Sequence, residues 1–148
     1  MKAIINVGLV GYGFASQTFH APLIQATEGL DLVAVSSSDA AKVQASLPGV
    51  EVESQAMALC QRKDIDLIVI PTPNDTHFSL AKAALTAGKH VVVDKPFTVT
   101  LSEGRLLKKL ADEKERLLSV FHNRRWDSDF LTVKALLDAG TLARVVNV

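Results

Sequence analysis

The chain has 148 residues with sixteen basic and sixteen acidic side chains, so its formal net charge is zero. A neutral surface argues against binding along a nucleic-acid backbone, which needs a basic surface. No apolar stretch reaches the length of a membrane span, and the single cysteine, Cys60, leaves no disulfide framework or cysteine-based metal motif. Residues 1–3 show no signal-peptide pattern. We therefore expect a cytoplasmic protein with no metal, nucleic-acid partner or membrane contact.

The first predicted element is a strand over residues 3–10, which leads into a glycine-rich turn. Two glycines with one residue between them, where a strand gives way to a helix, have the form of the Rossmann phosphate loop. Gly11 permits a tight turn, Gly13 lets a pyrophosphate approach the backbone, and Ser16 takes the place of the third small residue. An ordinary glycine-rich turn is the alternative. The predicted cofactor contacts are Gly11, Tyr12, Gly13, Phe14, Ala15 and Ser16.

The helix after this loop should be interrupted near its middle. Proline lacks the N–H group of the helix ladder and crowds the preceding turn, so Pro22 predicts a break at His20 and Ala21 and a restart at Pro22. His20 either faces the cleft or fills the break, and we favour the second interpretation. Gly29 should end the helix.

Strands and helices alternate along the rest of the chain. Asp39, Ser54, Asn74 or Asp75, and Asp127 are the expected N-caps, whereas Ser102 and Arg105 do not form a complete capping box. Continuous apolar runs such as residues 66–70 are typical of strands buried on both faces of a parallel sheet. The alternation predicts an α/β fold, a doubly wound parallel sheet. Strands are predicted at residues 30–35, 50–52, 66–70, 90–93 and 117–121, with another from residue 144, and helices at 39–47, 55–62, 74–87, 101–115 and 127–140.

The sequence ends within an apolar segment that is predicted to be a strand. We therefore expect residues 1–122 to form a dinucleotide-binding domain, and residues 123–148 to form a connecting helix and the start of a further, substrate-binding domain. A small protein with a frayed tail is the less favoured alternative.

The end of the second strand bears on which nucleotide binds. In an open parallel sheet ligands bind beyond the carboxyl ends of the strands, and an acid after the second strand usually binds the adenosine ribose. Three hydroxyls occupy this place, and no carboxylate before Asp39 repels a 2′-phosphate. Lys42 is the nearest cation. The pattern favours NADP over NAD, with NAD left possible, and a polar turn with a helix cap is the alternative. The hydroxyls belong to Ser36, Ser37 and Ser38.

Two further strand ends carry polar side chains. His77 follows two prolines after the strand at 66–70, and we favour a hydrogen bond to its own turn over proton transfer, while counting it among the candidates of the cofactor site. Lys95 leaves a buried strand and precedes Pro96. Its charge would point at the cleft, where it can hydrogen-bond a substrate hydroxyl and assist proton removal. An ordinary surface lysine is the alternative.

Taken together, these segments resemble the glucose–fructose oxidoreductase, inositol dehydrogenase and MocA family over the whole chain. The likeness rests on three features: Gly11-Tyr-Gly13, then Thr72-Pro-Asn74 with His77, and then Asp94-Lys95-Pro96, which has Asp where the family has Glu. Residues 11–22 and 121–126 resemble NADP-linked inositol (scyllo-inositol type) dehydrogenases most closely.

The resemblance implies hydride transfer between a sugar or cyclitol carbon and a nicotinamide cofactor. Lys95 would assist the reacting hydroxyl, Asp94 and Asn123 would contact the nicotinamide half, and the cofactor would be lined by Thr72, Pro73 and Asn74. An Asp and a His of the family's C-terminal domain would complete the site, so this chain alone is expected to be inactive. A homo-oligomer is implied for the whole protein. A non-catalytic dinucleotide-binding regulatory module remains the alternative.

Overall fold

The computed structural model describes residues 4–141, which form one six-stranded sheet between two layers of helices. The strands are β1 (Ile5–Val10), β2 (Leu30–Ser36), β3 (Glu51–Glu53), β4 (Leu67–Ile70), β5 (His90–Asp94) and β6 (Leu118–Phe121). The helices are α1 (Ala21–Ala26), α2 (Ala40–Ser46), α3 (Ala56–Gln61), α4 (Asn74–Thr86), α5 (Leu101–Glu113) and α6 (Ser128–Asp138), with a π-helical turn at Ser16–His20 and a 3-10 turn at Asn123–Trp126.

Every pair of neighbouring strands is parallel, in the order β3-β2-β1-β4-β5-β6. The chain builds outward from β1 to one edge, returns to β4 on the other side of β1, and builds outward again. This confirms the predicted α/β class and doubly wound parallel sheet. The topology brings the carboxyl ends of the strands to one edge, with the reversal point between β1 and β4, where such sheets bind ligands.

The core lies on both faces of the sheet because the central strands are apolar at successive positions. Ile68 and Ile70 of β4 pack toward α3, α4 and α5, whereas Val69 between them packs toward α1 and α2. Successive side chains of a strand point to opposite faces, so a continuous apolar run supplies both layers at once. Packing on both faces therefore holds in place the strand ends from which the polar turns emerge.

The predicted break after the glycine loop is wrong. Both His20 and Ala21 have right-handed helical dihedral angles, and the chain runs from the π-helical turn directly into α1. The Ala21 N–H donates to Ser16 O, five residues back. The wider π-helical turn therefore accommodates Pro22 at the start of α1, where the missing proline N–H costs little free energy.

Four helix starts differ in how well they match prediction. Asp39 does cap α2, accepting from the Lys42 N–H, but α3 begins after Gln55 without a side-chain cap, so Ser54 is not its cap. Pro73, not Asn74 or Asp75, is the N-cap of α4. Asp127 holds the N-cap position of α6 without a cap hydrogen bond, because its carboxylate accepts from Arg124 at 2.7 Å.

Helix α5 begins with a capping box that the sequence prediction missed. The Thr100 hydroxyl accepts from the Glu103 N–H at 3.3 Å, and the Glu103 carboxylate accepts from the Thr100 N–H at 2.9 Å. The pair lies slightly earlier in the sequence than Ser102 and Arg105, which do not form the motif. Two of the unpaired N–H groups at the helix start are satisfied in this way.

Helix α6 follows the sheet and has no buried side chain against the described part of the chain. The strand predicted from residue 144 lies outside the described residues. Among residues 4–141, no helix combines the length and apolar character that crossing a membrane requires.

Candidate functional site

The glycine loop after β1 is held from inside by its own serine. Gly11 has a φ of 83°, in the left-handed region that favours glycine. The Ser16 hydroxyl, 1% exposed, donates to Gly11 O at 2.8 Å. A Cβ added to Gly13 would meet no atom within 4 Å, so the space before the loop is open. The loop therefore fits a pyrophosphate, which requires close approach to the backbone.

Three side chains of this loop point in different directions. Tyr12 is 7% exposed and packs in the core with α1 and α2, so any contact of Tyr12 or of the buried Ser16 with a cofactor must come from the backbone. Phe14 is 75% exposed and meets Phe19 edge to face, with ring centroids 6.1 Å apart. The loop thus presents backbone groups and an aromatic edge to solvent.

The serines after β2 play unequal roles. Ser36 is 4% exposed, and its hydroxyl accepts from the Gly11 N–H at 3.0 Å. The prediction that Ser36 contacts a phosphate does not fit this geometry, because its side chain is buried and anchors the glycine loop. Ser37 is half-buried and hydrogen-bonds the backbone of Asp39, while Ser38 is exposed. Ser37 and Ser38 are thus the accessible hydroxyls.

His77 connects the turns after β4 and β5. The ring is 1% exposed, with Nε2 at 2.8 Å from Thr72 O and Nδ1 at 3.0 Å from Pro96 O. The predicted hydrogen-bonding role of His77 in its own turn therefore fits the structure, whereas direct contact of the His77 ring with a cofactor does not. In the same turn, the hydroxyls of Thr72 and Thr76 are 2.6 Å apart, while Pro73 and Asn74 are exposed at the start of α4.

The turn after β5 carries the predicted catalytic lysine. Asp94 is the last residue of β5 and pairs in register with Phe121 of β6. Lys95 follows with an exposed side chain, and its peptide bond to Pro96 is cis. Asp94 Oδ1 lies 2.9 Å from Nε2 of His20, which is 4% exposed. His20 therefore contacts Asp94 in the candidate site and does not fill a break in the helix.

A pocket of about 170 Å³ brings several predicted residues together. It lies where the glycine loop, the turn after β5 and the turn after β6 meet. Its lining includes four predicted site residues and three that the sequence analysis missed. A larger cavity of about 210 Å³ lies between α4 and α5, but it is lined by none of the predicted residues. The pocket residues are Ala15, Phe19, Asp94, Lys95, Phe121, Asn123 and Arg124.

The missed residues lie next to recognisable motifs. Phe19 follows the glycine loop within one helical turn, and Phe121 and Arg124 lie within two residues of Asn123. An ion pair with Asp127 at 2.7 Å raises the pKa of the exposed Arg124 guanidinium. No group of three or more metal-ligating side chains occurs within residues 4–141.

The remaining predicted residues lie on either side of the glycine loop. Ser37 and Ser38 follow β2, which pairs with β1 on one side. On the other side, Thr72 lies in the turn after β4 and Asp94 ends β5. The edge can thus accommodate an elongated ligand whose middle faces the loop and whose ends lie over β2 and over β4 to β6.

Comparison with known proteins agrees with this geometry. Residues 5–122 match the oxidoreductase family GFO_IDH_MocA, described as having an NAD-binding Rossmann fold. The uncharacterised oxidoreductase YdgJ of Escherichia coli (strain K12) is 66% identical over 145 residues, covering 98% of this chain and 42% of YdgJ. The scyllo-inositol 2-dehydrogenase (NADP(+)) IolW of Bacillus subtilis (strain 168) is 41% identical over 138 residues, covering 93% of this chain and 38% of IolW.

A comparison with solved structures also finds close relatives of this fold. The structure of YPO2259 from Yersinia pestis superposes with a TM-score of 0.94 at 65% identity, over 99% of this chain and 42% of that one. The chain thus spans about two fifths of the length of the proteins it matches. The match over residues 5–122, together with the parallel sheet and the glycine loop at its ligand-binding edge, shows that the chain belongs to the oxidoreductase family of glucose–fructose oxidoreductase, inositol dehydrogenase and MocA, with an NAD-binding Rossmann fold.

Proposed function

We propose that this chain is the cofactor-binding domain of an NADP-dependent dehydrogenase that oxidises a hydroxyl group of a sugar or cyclitol. The observation that carries the proposal is the pocket in which Lys95 and Asp94 meet the glycine loop and Asn123. The name of IolW, a scyllo-inositol 2-dehydrogenase that uses NADP, supports the substrate class and the nucleotide. The remaining groups that bind and activate the substrate would come from a further domain joined to this chain.

The cofactor would lie across the carboxyl edge of the sheet. Its pyrophosphate would face the backbone of Gly13, where an added Cβ would meet no atom within 4 Å. Its adenosine half would lie over β2, near Ser37 and Ser38, and its nicotinamide half over the pocket near Asp94 and Asn123. A nicotinamide cofactor, when bound, supplies the acceptor for the hydride that leaves the substrate carbon.

Lys95 would act on the substrate hydroxyl from this pocket. Its side chain is exposed in the pocket while its backbone continues from the end of β5. An ammonium or amine at this place can hydrogen-bond the hydroxyl and help to move its proton as the carbonyl forms. A regulatory module would have no need of a lysine there, which favours the enzyme over the alternative.

Discrimination between nucleotides would arise after β2. Ser38 can donate a hydrogen bond to a 2′-phosphate, and Ser37 can do so by exchanging its 3.2 Å bond to Asp39 O for one to the phosphate. The first carboxylate after β2 belongs to Asp39, which caps α2 and accepts from the Lys42 N–H at 3.0 Å. Repulsion of the phosphate is therefore reduced, and the Lys42 side chain stands one helical turn away as the nearest cation of this segment.

A calorimetric titration of the chain with NADP and with NAD tests the cofactor assignment. We expect tighter binding of NADP, and Ser37→Asp should weaken NADP at least tenfold while sparing NAD, because the new carboxylate repels the 2′-phosphate. Ser46→Asp, which adds the same charge at the other end of α2, is the matched control. Equal loss of both nucleotides in Ser37→Asp would contradict the assignment, and no binding of either by the parent chain would reject the cofactor domain.

Turnover tests the role of Lys95. In a polypeptide that joins this chain to its substrate domain, Lys95→Ala should lose most hydride transfer and keep cofactor binding. Unchanged turnover would reject the role. This chain alone should give no measurable polyol oxidation. The domain boundary after residue 122, the cytoplasmic location and the homo-oligomeric state stay predictions.

A further inference from the structure

The glycine-loop helix and the Asp94-Lys95 turn are joined by one buried histidine. His20 is the last residue of the π-helical turn and shares its buried face with Ser16, four residues earlier. Ser16 bonds the glycine loop, whereas Nε2 of His20 lies 2.9 Å from Asp94 Oδ1. One helical face thus holds both the phosphate loop and the strand end from which Lys95 emerges.

The contact between His20 and Asp94 is well defined on the histidine side. The ring is 4% exposed and packs against Phe121, with ring centroids 4.4 Å apart. A carboxylate accepts hydrogen bonds and does not donate them, so Nε2 carries the proton of this bond. Burial of the ring against Phe121 leaves it little freedom, and the Nε2 donor fixes where Asp94 Oδ1 can lie.

The hydrogen bond to His20 uses only one oxygen of the Asp94 carboxylate and leaves the other without a partner in the described part of the chain. Asp94 is 22% exposed and lines the cavity with Lys95 and Asn123. His20 engages Oδ1, and Oδ2 has no hydrogen-bond partner among residues 4–141. A carboxylate that lines a cavity, with one oxygen anchored and the other unpaired, can accept a hydrogen bond from a ligand hydroxyl.

From this geometry we propose that His20 is a positioning residue for the nicotinamide half of the cofactor. It holds the short Asp94 side chain so that Oδ2 accepts a hydrogen bond from a hydroxyl of the nicotinamide-side ribose. The inference rests on the proposed function, since it assumes that a dinucleotide lies across this edge. The π-helical turn has a role in this arrangement, because its extra residue per turn sets the direction in which His20 projects.

The test compares the whole dinucleotide with a fragment that lacks the nicotinamide half. Affinities for NADPH and for adenosine 2′,5′-bisphosphate are measured on the same protein by calorimetry or competition. His20→Leu keeps the volume and removes the donor, and it should weaken NADPH about tenfold while changing the fragment less than about twofold. A general loss of structure would weaken both ligands, so the ratio separates positioning from folding.

Two further variants make the test specific to the hydrogen bond. His20→Gln places an amide donor near the position of Nε2 and should restore NADPH affinity to within about threefold of the parent. Asp94→Asn, at a partly exposed position that should still fold, should weaken NADPH by itself. Combined with His20→Leu it should add little, because both changes remove the same anchored acceptor. Leu23→Ala, a half-exposed position on α1, is the matched control.

The outcomes distinguish this inference from the proposed function. Unchanged NADPH affinity in His20→Leu, equal weakening of NADPH and the fragment, or additive effects with Asp94→Asn would each overturn the positioning role while leaving the cofactor domain intact. A parent chain that binds neither NADPH nor the fragment would overturn both. Selective and non-additive loss of NADPH, with recovery in His20→Gln, would support the inference.

Discussion

Gly8 lies in the middle of β1, where the structure leaves no room for a side chain. It pairs with Ala34 of β2 on one side and Ile68 of β4 on the other. An added Cβ would lie 2.8 Å from Ile65 Cδ1 and 2.9 Å from Ile68 Cδ1. Both isoleucines are buried, with 1% and 0% exposure. Gly8→Ala therefore tests how tightly the sheet packs beneath the ligand-binding edge.

The magnitude follows from these contacts. Each isoleucine methyl must withdraw by about half an ångström to restore ordinary van der Waals separation. Close-packed cores resist such shifts, and overpacking by one methyl group typically costs about 1–3 kcal/mol. For a chain of this length we expect the midpoint of thermal unfolding to fall by roughly 3–9 °C.

Thermal and urea unfolding, followed by circular dichroism, measure this cost. Ile65→Val removes the nearer methyl and by itself should cost about 1 kcal/mol. In the double variant the total cost should be less than the sum of the separate costs, because the methyl introduced by Gly8→Ala occupies the vacated space. Gly13→Ala is the control, since its Cβ would meet no atom within 4 Å. Parent-like stability of Gly8→Ala, or strict additivity with Ile65→Val, would refute the reasoning.

Three further predictions concern the loop, a helix cap and the buried thiol. Gly13→Ala should keep the parent's unfolding midpoint, since an added Cβ would meet no atom within 4 Å, yet it should lose at least tenfold in NADPH affinity by calorimetry, because the methyl group blocks close approach to the backbone; parent-like affinity would argue against pyrophosphate binding there. Thr100→Ala removes the acceptor of the Glu103 N–H and should lower the free energy of unfolding in urea by about 1 kcal/mol, whereas Thr100→Ser should not; equal effects would exclude the cap. Burial raises the pKa of the Cys60 thiol from 9.0 to about 11. The unfolded chain releases this proton first, so stability should fall as pH rises from about 9 to 11, and less steeply in Cys60→Ala; identical pH profiles would contradict the shift.

The sheet was predictable because its signals are local. Residues 66–70 and 90–93 are apolar at successive positions, which fits a strand buried on both faces, and β4 and β5 follow them closely. Gly11 and Gly29 have positive φ values of 83° and 91° at the turns where glycine was expected. Strand order then follows from topology, since parallel strands with helical crossovers have few arrangements.

The features that sequence patterns missed depend on contacts between distant residues. His20 and Asp94 are 74 positions apart, and nothing local to either marks them as partners. The burial of Ser36 likewise depends on its bond to Gly11, 25 residues away, so a serine pattern alone could not separate it from Ser37. The π-helical turn was missed because Pro22 signals an interruption without saying how the backbone will accommodate it.

The hydrogen bond from the Gly11 N–H to Ser36 constrains any redesign of nucleotide preference. Exchange of Ser36 for a larger or acidic residue would detach the glycine loop from β2, and both nucleotides would suffer together. Selection experiments that randomise all three serines would therefore discard most variants for a reason unrelated to the 2′-phosphate. A library that keeps Ser36 fixed and varies Ser37, Ser38 and Lys42 would sample nucleotide preference, because its variants retain the hydrogen bond that holds the glycine loop.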